Sequence, residues 1–311
     1  MLSVHVAVAG SQPAYSLNDD VPHLAASTMK VGVLAALHRI DLDLDRPVTI
    51  CDAFESAVAG RRFRTDPARD SDPLPWRLVG STATLRWLAQ RMIVHSSNLA
   101  TNVCLSHVGF RAVAEIWRLA GASHSVTARG IDDVAARDAG IENVVTAADL
   151  ARLFAWLPES LHGILAANVH RVDIAAGLPA GTRVAFKNGW CVGLRHAAGI
   201  VFPDDAGVYT IAVCYSGPSA SGDDIDDPAA RLLARGVESD ANHAGLWRCV
   251  GTAQHARHLR VRCRRMAGMR SDRDLLTDGG RSTWPTAVRD HGRLRALGGR
   301  TQEQQPAAVH L

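Results

Sequence analysis

Of the 34 basic residues in this 311-residue chain, only two are lysines, Lys30 and Lys187. Arginine keeps its proton at any physiological pH, whereas a lysine amine gives it up when its surroundings are apolar. A sequence that writes nearly every cation as Arg therefore singles out two positions for a titratable amine or a compact charge. Lys30 closes Ser27-Thr28-Met29-Lys30 at the head of an apolar run. In a helix, the hydroxyl and the amine then share a face, one turn apart. A serine hydroxyl attacks a carbonyl only once a base takes its proton. A neutral, desolvated Lys30 is such a base, and a helix N-terminus favours the negative charge developing on Ser27. The plainer alternative is that Ser27 simply caps the helix.

Lys187 stands in Phe186-Lys187-Asn188-Gly189-Trp190, at the end of a short β-rich run. Glycine there lets a substrate come close to the backbone, and a strand edge offers main-chain hydrogen bonds to a peptide-like ligand. Lys187 can fix a carboxylate and, as a nearby cation, lower the pKa of Lys30. Ser96-Ser97-Asn98 lies on a connection between helical stretches. It supplies a hydroxyl for proton relay and an amide for a ligand carbonyl, or else merely a helix cap. His95 and His196 adjoin these motifs, but the lysine already fills the role of base.

The elements that must position these residues are legible from periodicity. Ser3–Ala9 alternates as a strand, and Thr28–Arg39 reads as a buried helix. Ala59–Pro75 is polar and proline-rich, a surface loop. Ser81 is the expected N-cap of a helix carrying Leu85, Leu88, Met92 and Ile93, followed by helices over Asn98–His107 and Arg111–Ala120. After the irregular stretch Ser123–Val145, Thr146 with Asp149 caps Ala147–Leu157, and His162–His170 reads as one more helix. Arg183–Phe186, His196–Val201 and Val208–Tyr215 are strands, and Pro228–Val237 closes the body as a helix. Strands segregated from helices predict an α+β fold: an antiparallel sheet flanked by helices, with a helical lobe over about residues 40–180 inserted.

Ser27-x-x-Lys30, Ser96-x-Asn98 and Lys187-x-Gly189 follow one another at separations of 69 and 91 residues. Together with the element order, over about residues 3–240, they resemble the penicillin-recognising serine hydrolases: class A β-lactamases and penicillin-binding DD-peptidases, whose signature is SxxK, SDN and KTG. The resemblance implies a three-layer αβα arrangement, with Ser27 as the acylated nucleophile, Lys30 as its base and Ser96 as relay to the leaving nitrogen. It implies that Asn98 holds the substrate amide, that Lys187 binds its carboxylate with Asn188 and Gly189 beside it, and that the oxyanion hole is the N–H groups of Ser27 and Trp190. Three departures stand out. Ser97 replaces the usual Asp, and Asn188 replaces a hydroxyl residue. The loop Arg129-Gly-Ile-Asp132-Asp133-Val134 lacks the Glu that activates the deacylating water, leaving Asp132 or Asp133 to substitute. Glu142 is expected to pair with Arg129 and brace that loop. The implied activity is hydrolysis of a β-lactam or related carboxylate-bearing amide or ester. The alternatives are a DD-peptidase or esterase on the same scaffold, or a β-lactam-binding sensor without turnover.

Composition bounds the rest. The chain is 47% hydrophobic and 21% charged, with no run long enough to span a membrane. Its six cysteines include no CxxC pair, which excludes zinc ribbons and thioredoxin-like sites. Asp41, Asp43 and Asp45 read as solvated carboxylates rather than a cation site, so neither metal nor cofactor is expected. From His243 onward there are thirteen arginines, no lysine and five acidic residues, a net +8, which leaves −5 for residues 1–242. The catalytic domain is therefore assigned to 1–242. Residues 243–311 are expected to be a disordered Arg-rich extension, of altered-frame or readthrough origin, with no recognisable nucleic-acid-binding module. The expected partner is a small-molecule substrate, with no nucleic acid and no membrane, and the protein is expected to be a monomer. The N-terminus has no basic region or long apolar stretch, so the chain as written reads as cytoplasmic with reduced thiols; an upstream start would permit export.

Overall fold

The computed structural model describes residues 1–8, 11–204, 206–222 and 227–241. The extension assigned to 243–311 lies outside the described residues. Five strands form one antiparallel sheet: β1 (Leu2–Val8), β2 (Tyr15–Leu17), β3 (Arg183–Cys191), β4 (Leu194–Phe202) and β5 (Tyr209–Ser216), in spatial order β2-β1-β5-β4-β3. The first strand thus pairs with the last, Val4 opposite Val213, and the helical lobe is inserted between β2 and β3. The principal helices are α1 (Lys30–Arg39), α2 (Leu85–Val94), α3 (Asn98–Leu119), α4 (Val134–Asp138) and α5 (Ala147–Trp156), with α6 (Pro228–Ala241) after β5. The fold is α+β, as the element order predicts.

Side chains alternate across β3, and both faces are covered. Val184 and Phe186 pack with Ile211, Val213 and Leu233 of α6. Ala185, with Ala198 and Ala212 of the neighbouring strands, joins the core of the helical lobe. A sheet buried on both faces needs apolar residues at successive positions, which is why these strands read as near-continuous hydrophobic runs. Within the lobe, α1 is buried along residues 30–37 and is apolar all round, as a helix enclosed by its neighbours must be. Lys30 is the one charged residue of that buried stretch.

Several boundaries differ from expectation. Ser81 is not a cap: Thr82–Thr84 forms a short strand with Pro47–Thr49, and the Thr84 hydroxyl caps α2 by accepting from the Trp87 amide at 3.1 Å. β-Branched threonines favour that extended conformation. The two expected helices over 98–120 form one run interrupted at Gly109, whose φ of 74° only glycine adopts readily. The helix expected over His162–His170 stops at Ala166. Arg62–Arg64, inside the expected loop, pairs with Ala53–Glu55. Strand β3 continues past Phe186 to Cys191, with Lys187 opposite Ala198 and Gly189 opposite His196. The lysine motif therefore lies within an edge strand, not beyond its end.

Thr146 caps α5 as expected, its buried hydroxyl accepting from the Asp149 amide at 3.1 Å. Thr146→Ala leaves that N–H without its partner and should lower stability by about 1 kcal/mol. Urea unfolding measures it, and an unchanged midpoint would show that the cap contributes nothing.

Candidate active site

The motif residues converge on one cavity of about 720 Å³ between the lobe and the edge of the sheet, lined in part by Ser27, Ser96, Asn98, Asp132, Asp133 and Trp190. Lys30 and Lys187 lie behind its wall with no exposed surface. Lys30 Nζ donates to the Ser96 carbonyl at 2.6 Å and to Asn98 Oδ1 at 2.9 Å, and lies 3.3 Å from Ser96 Oγ. Two of these partners are pure acceptors. A neutral amine has two N–H groups and one lone pair, so both N–H groups are engaged and the lone pair is left to accept a hydroxyl proton. Burial lowers the Lys30 pKa to about 7, against the pull of the Asp70 and Asp132 charges, which raise it.

Lys187 Nζ donates to Ser96 Oγ at 3.0 Å and to the Asn188 carbonyl at 2.9 Å. Burial, reinforced by the neighbouring Lys30, holds its pKa well below the usual lysine value. Ser96 Oγ thus sits between two amines. Its backbone has a φ of 60°, and Ala26 and Asp132, also on the cavity wall, have φ of 44° and 68°. Non-glycine residues adopt this region at a cost of about 1–3 kcal/mol each, and such strain gathers where function over-determines the backbone.

Ser27 is not a helix cap. It lies in a 3-10 turn, Ala26–Met29, that makes no side-chain cap. Its half-buried hydroxyl lines the cavity without a hydrogen-bond partner among the described residues. The expected pairing with Lys30 is therefore not what holds the amine; Ser96 and Asn98 do that. A Cβ on Gly189 would lie 2.5 Å from the Ser27 nitrogen and 3.1 Å from its Cα. The glycine makes room for the Ser27 backbone, rather than for a substrate as expected. That close approach sets the Ser27 amide beside strand β3 just before Trp190.

Two predicted site residues are corrected. Asn188 does not face the cavity: it has no exposed surface, and its amide donates to the His170 carbonyl at 3.1 Å and to Asp173 at 3.0 Å. Side chains alternate along a strand, so the residue after Lys187 turns to the opposite face. There Asp173 also accepts from Arg195, whose guanidinium lies 5.2 Å from the Trp190 ring centroid. Asp133 is likewise fully buried and occupied, accepting from Ser56 Oγ at 2.7 Å and from the amides of Ala57 and Ala136. It caps α4 and ties the loop to the neighbouring hairpin. Asp132 keeps a small exposed surface and accepts from the Asp66 amide at 3.1 Å. Arg129 pairs with Glu142 at 2.7 Å, the expected brace.

Sequence reasoning missed Asp70. Its carboxylate accepts from Leu99 N at 2.8 Å, Trp76 Nε1 at 2.9 Å and Ser97 Oγ at 3.2 Å. The carboxylate absent at position 97 is thus supplied from a distant loop, and no spacing rule reveals it. His95 and His196 do not enter the site chemistry. His196 is buried and bonded at both ring nitrogens, Nε2 to the Leu24 carbonyl at 2.8 Å, and burial lowers its pKa to about 4. His95 gives its carbonyl to His170 Nε2 at 3.3 Å.

The β-lactamase enzyme family model matches residues 2–240. The chain belongs to that family. No curated protein sequence matches it. Among solved structures, it is similar to PBP-A, with a TM-score of 0.62 and 20% identity over 78% of this chain and 90% of that one. A β-lactamase from Xanthomonas campestris pv. campestris gives 0.63 and 20% over 78% and 91%. A β-lactamase from Sphaerobacter thermophilus gives 0.61 and 20% over 79% and 89%. At such identities these structures show the shared fold. As a member of the β-lactamase family, the protein is a serine hydrolase.

Two outcomes follow from the geometry of this β-lactamase-family site. With the Ser27 N–H as an oxyanion donor and Ser27 as the acylated residue, Gly189→Ala should cut the rate of acylation by a factor on the order of 10² or more, because displacing one such donor costs that much. Labelling with a fluorescent penicillin measures it, and an undiminished rate would show that the close approach is dispensable. With Lys30 as base, acylation should also fall about tenfold per pH unit below about 7, as the amine takes up a proton and loses its lone pair. A rate that stays flat from pH 7 to 5 would contradict that role.

Proposed function

We propose that the protein hydrolyses a β-lactam, or a related small amide or ester bearing a carboxylate, through an acyl-enzyme on Ser27. The observation that carries this reading is the Lys30 amine, buried and held by two acceptor oxygens on the wall of the cavity that Ser27 lines. Ser27 Oγ attacks the carbonyl carbon while its proton passes to the Lys30 lone pair. The N–H groups of Ser27 and Trp190 take the resulting oxyanion. The carbon–nitrogen bond then breaks; Ser96 gives its hydroxyl proton to the leaving nitrogen and is reprotonated from Lys30. Asn98 holds the substrate amide. Lys187 acts through Ser96, which it touches, rather than by direct grip on a carboxylate.

Release of the acyl group needs an activated water. Of the three cavity-lining aspartates, Asp70 and Asp133 are saturated by hydrogen bonds, and Asp132 is the one whose charge bears on Lys30 with capacity to spare. Asp132 is therefore assigned as the deacylating carboxylate. Its contact with Arg69 at 3.5 Å engages one carboxylate oxygen, which leaves less of the group free for water and favours a long-lived adduct over rapid turnover, as in a DD-peptidase or a sensor.

Time-resolved mass spectrometry with benzylpenicillin tests both steps. The expected result is an adduct on Ser27 that decays, disappears in Lys30→Ala, and persists at least tenfold longer in Asp132→Asn. A permanent wild-type adduct would replace hydrolysis by sensing or DD-peptidase activity. Full labelling of Lys30→Ala would remove the lysine from the mechanism. No adduct, with ester turnover intact, would make the protein an esterase.

A further inference from the structure

One end of the cavity holds Ser96 against Lys187, and because Ser96 protonates the leaving nitrogen, the leaving group departs there. The acyl group, which stays on Ser27, is left the remainder of the cavity, whose lining includes Trp190, Cys191, Val192 and Arg69. Arg69 stands on the segment that follows the Arg62–Arg64 strand. Its carbonyl accepts from Asn98 Nδ2 at 2.8 Å, which fixes its backbone to the site. Its side chain is 59% exposed and meets Asp132 at 3.5 Å.

The Arg69 charge is felt at the Cys191 thiol, where it opposes the rise caused by burial. The guanidinium thus touches Asp132 and is near enough to Cys191, at the end of β3, for its charge to act there. Of the other arginines on the wall, Arg129 is gripped by Glu142 through two nitrogens, at 2.7 and 3.1 Å, and Arg137, on α4, makes one contact with Asp138 at 3.6 Å. Lys187, the cation expected to bind a carboxylate, is buried with its amine engaged. A guanidinium offers five N–H donors in a planar fork, so one long contact with Asp132 leaves donors for a bidentate carboxylate.

We infer that Arg69 makes the acyl side of this cavity selective for acyl groups carrying an anionic substituent, a carboxylate in the simplest case. This rests on the Ser27 acyl-enzyme reading and adds a substrate class to it.

The test compares benzylpenicillin with its analogue bearing a carboxylate on the benzylic carbon, two compounds that differ only on the acyl side. The second-order rate of adduct formation on Ser27 is read by mass spectrometry. The wild-type chain should react roughly three- to fivefold faster with the carboxylated compound, the scale of a partly exposed ion pair, and the preference should shrink in 0.5 M salt. In Arg69→Ala the ratio should fall to about one, and in Arg69→Glu below one. An unchanged preference in Arg69→Ala, equal slowing of both compounds, or no preference in the wild type would overturn the assignment while leaving the acyl-enzyme standing. Absence of any wild-type adduct would overturn the acyl-enzyme reading and the selectivity with it.

Discussion

An amine sealed from water is the constraint around which this site is built. Transferring an ammonium group into a protein interior costs several kcal/mol, and the group escapes that cost most simply by losing its proton. Lys30 is surrounded by a backbone carbonyl, an amide oxygen and a hydroxyl, with no carboxylate among its hydrogen-bond partners. Such a shell satisfies a neutral amine and does little to retain a charge. Asp70 and Asp132 act on it only through space, and they keep its pKa near neutrality instead of letting it fall further. The same environment that makes Lys30 costly to bury thus gives it a pKa near neutrality, which is what the proposed mechanism asks of a base.

Much of the remaining architecture serves to present that amine to a hydroxyl. The 3-10 turn places Ser27 at the head of α1, and the bare Cα of Gly189 lets its amide approach the edge strand. Ser96 turns its carbonyl towards Lys30 from a backbone with positive φ, and Asp70 anchors the start of α3 behind it through Ser97 and Leu99. The buried Asp173, Arg195 and Asn188 cluster supports the opposite face of the strand that carries Trp190. The hairpin over residues 53–64 fastens the loop bearing Asp132 through Ser56 and Asp133.

What was legible in the sequence was local or strongly patterned. The scarcity of lysine exposed both amines, the apolar run after Lys30 exposed its burial, and Thr146 with Asp149 gave the start of α5. The Arg129–Glu142 brace was legible because opposite charges bracket one irregular loop. Strand register was not. Reading β3 as ending at Phe186 put Asn188 at the strand end beside the substrate, whereas continuing the ladder to Cys191 sends its side chain to the far face. Asp70 and Arg69 were hidden for another reason: their partners lie close to 30 residues away along the chain, and nothing in the intervening sequence fixes where that loop folds back. A plain N-cap stood as the alternative reading of Ser27 because serine is a favoured capping residue, and the 3-10 turn it occupies instead is not marked by its residue types.

The scarcity of lysine also makes the central claim directly measurable. A chain labelled with ¹³C at lysine Cε gives two signals, one from Lys30 and one from Lys187, and Lys30→Met assigns them. The account predicts that the Lys30 signal titrates with a midpoint near 7, far below an ordinary lysine, in the unacylated protein. A midpoint near the unperturbed 10.4 would mean that the amine is an ammonium ion at working pH, and the base assigned to Ser27 would have to be found elsewhere.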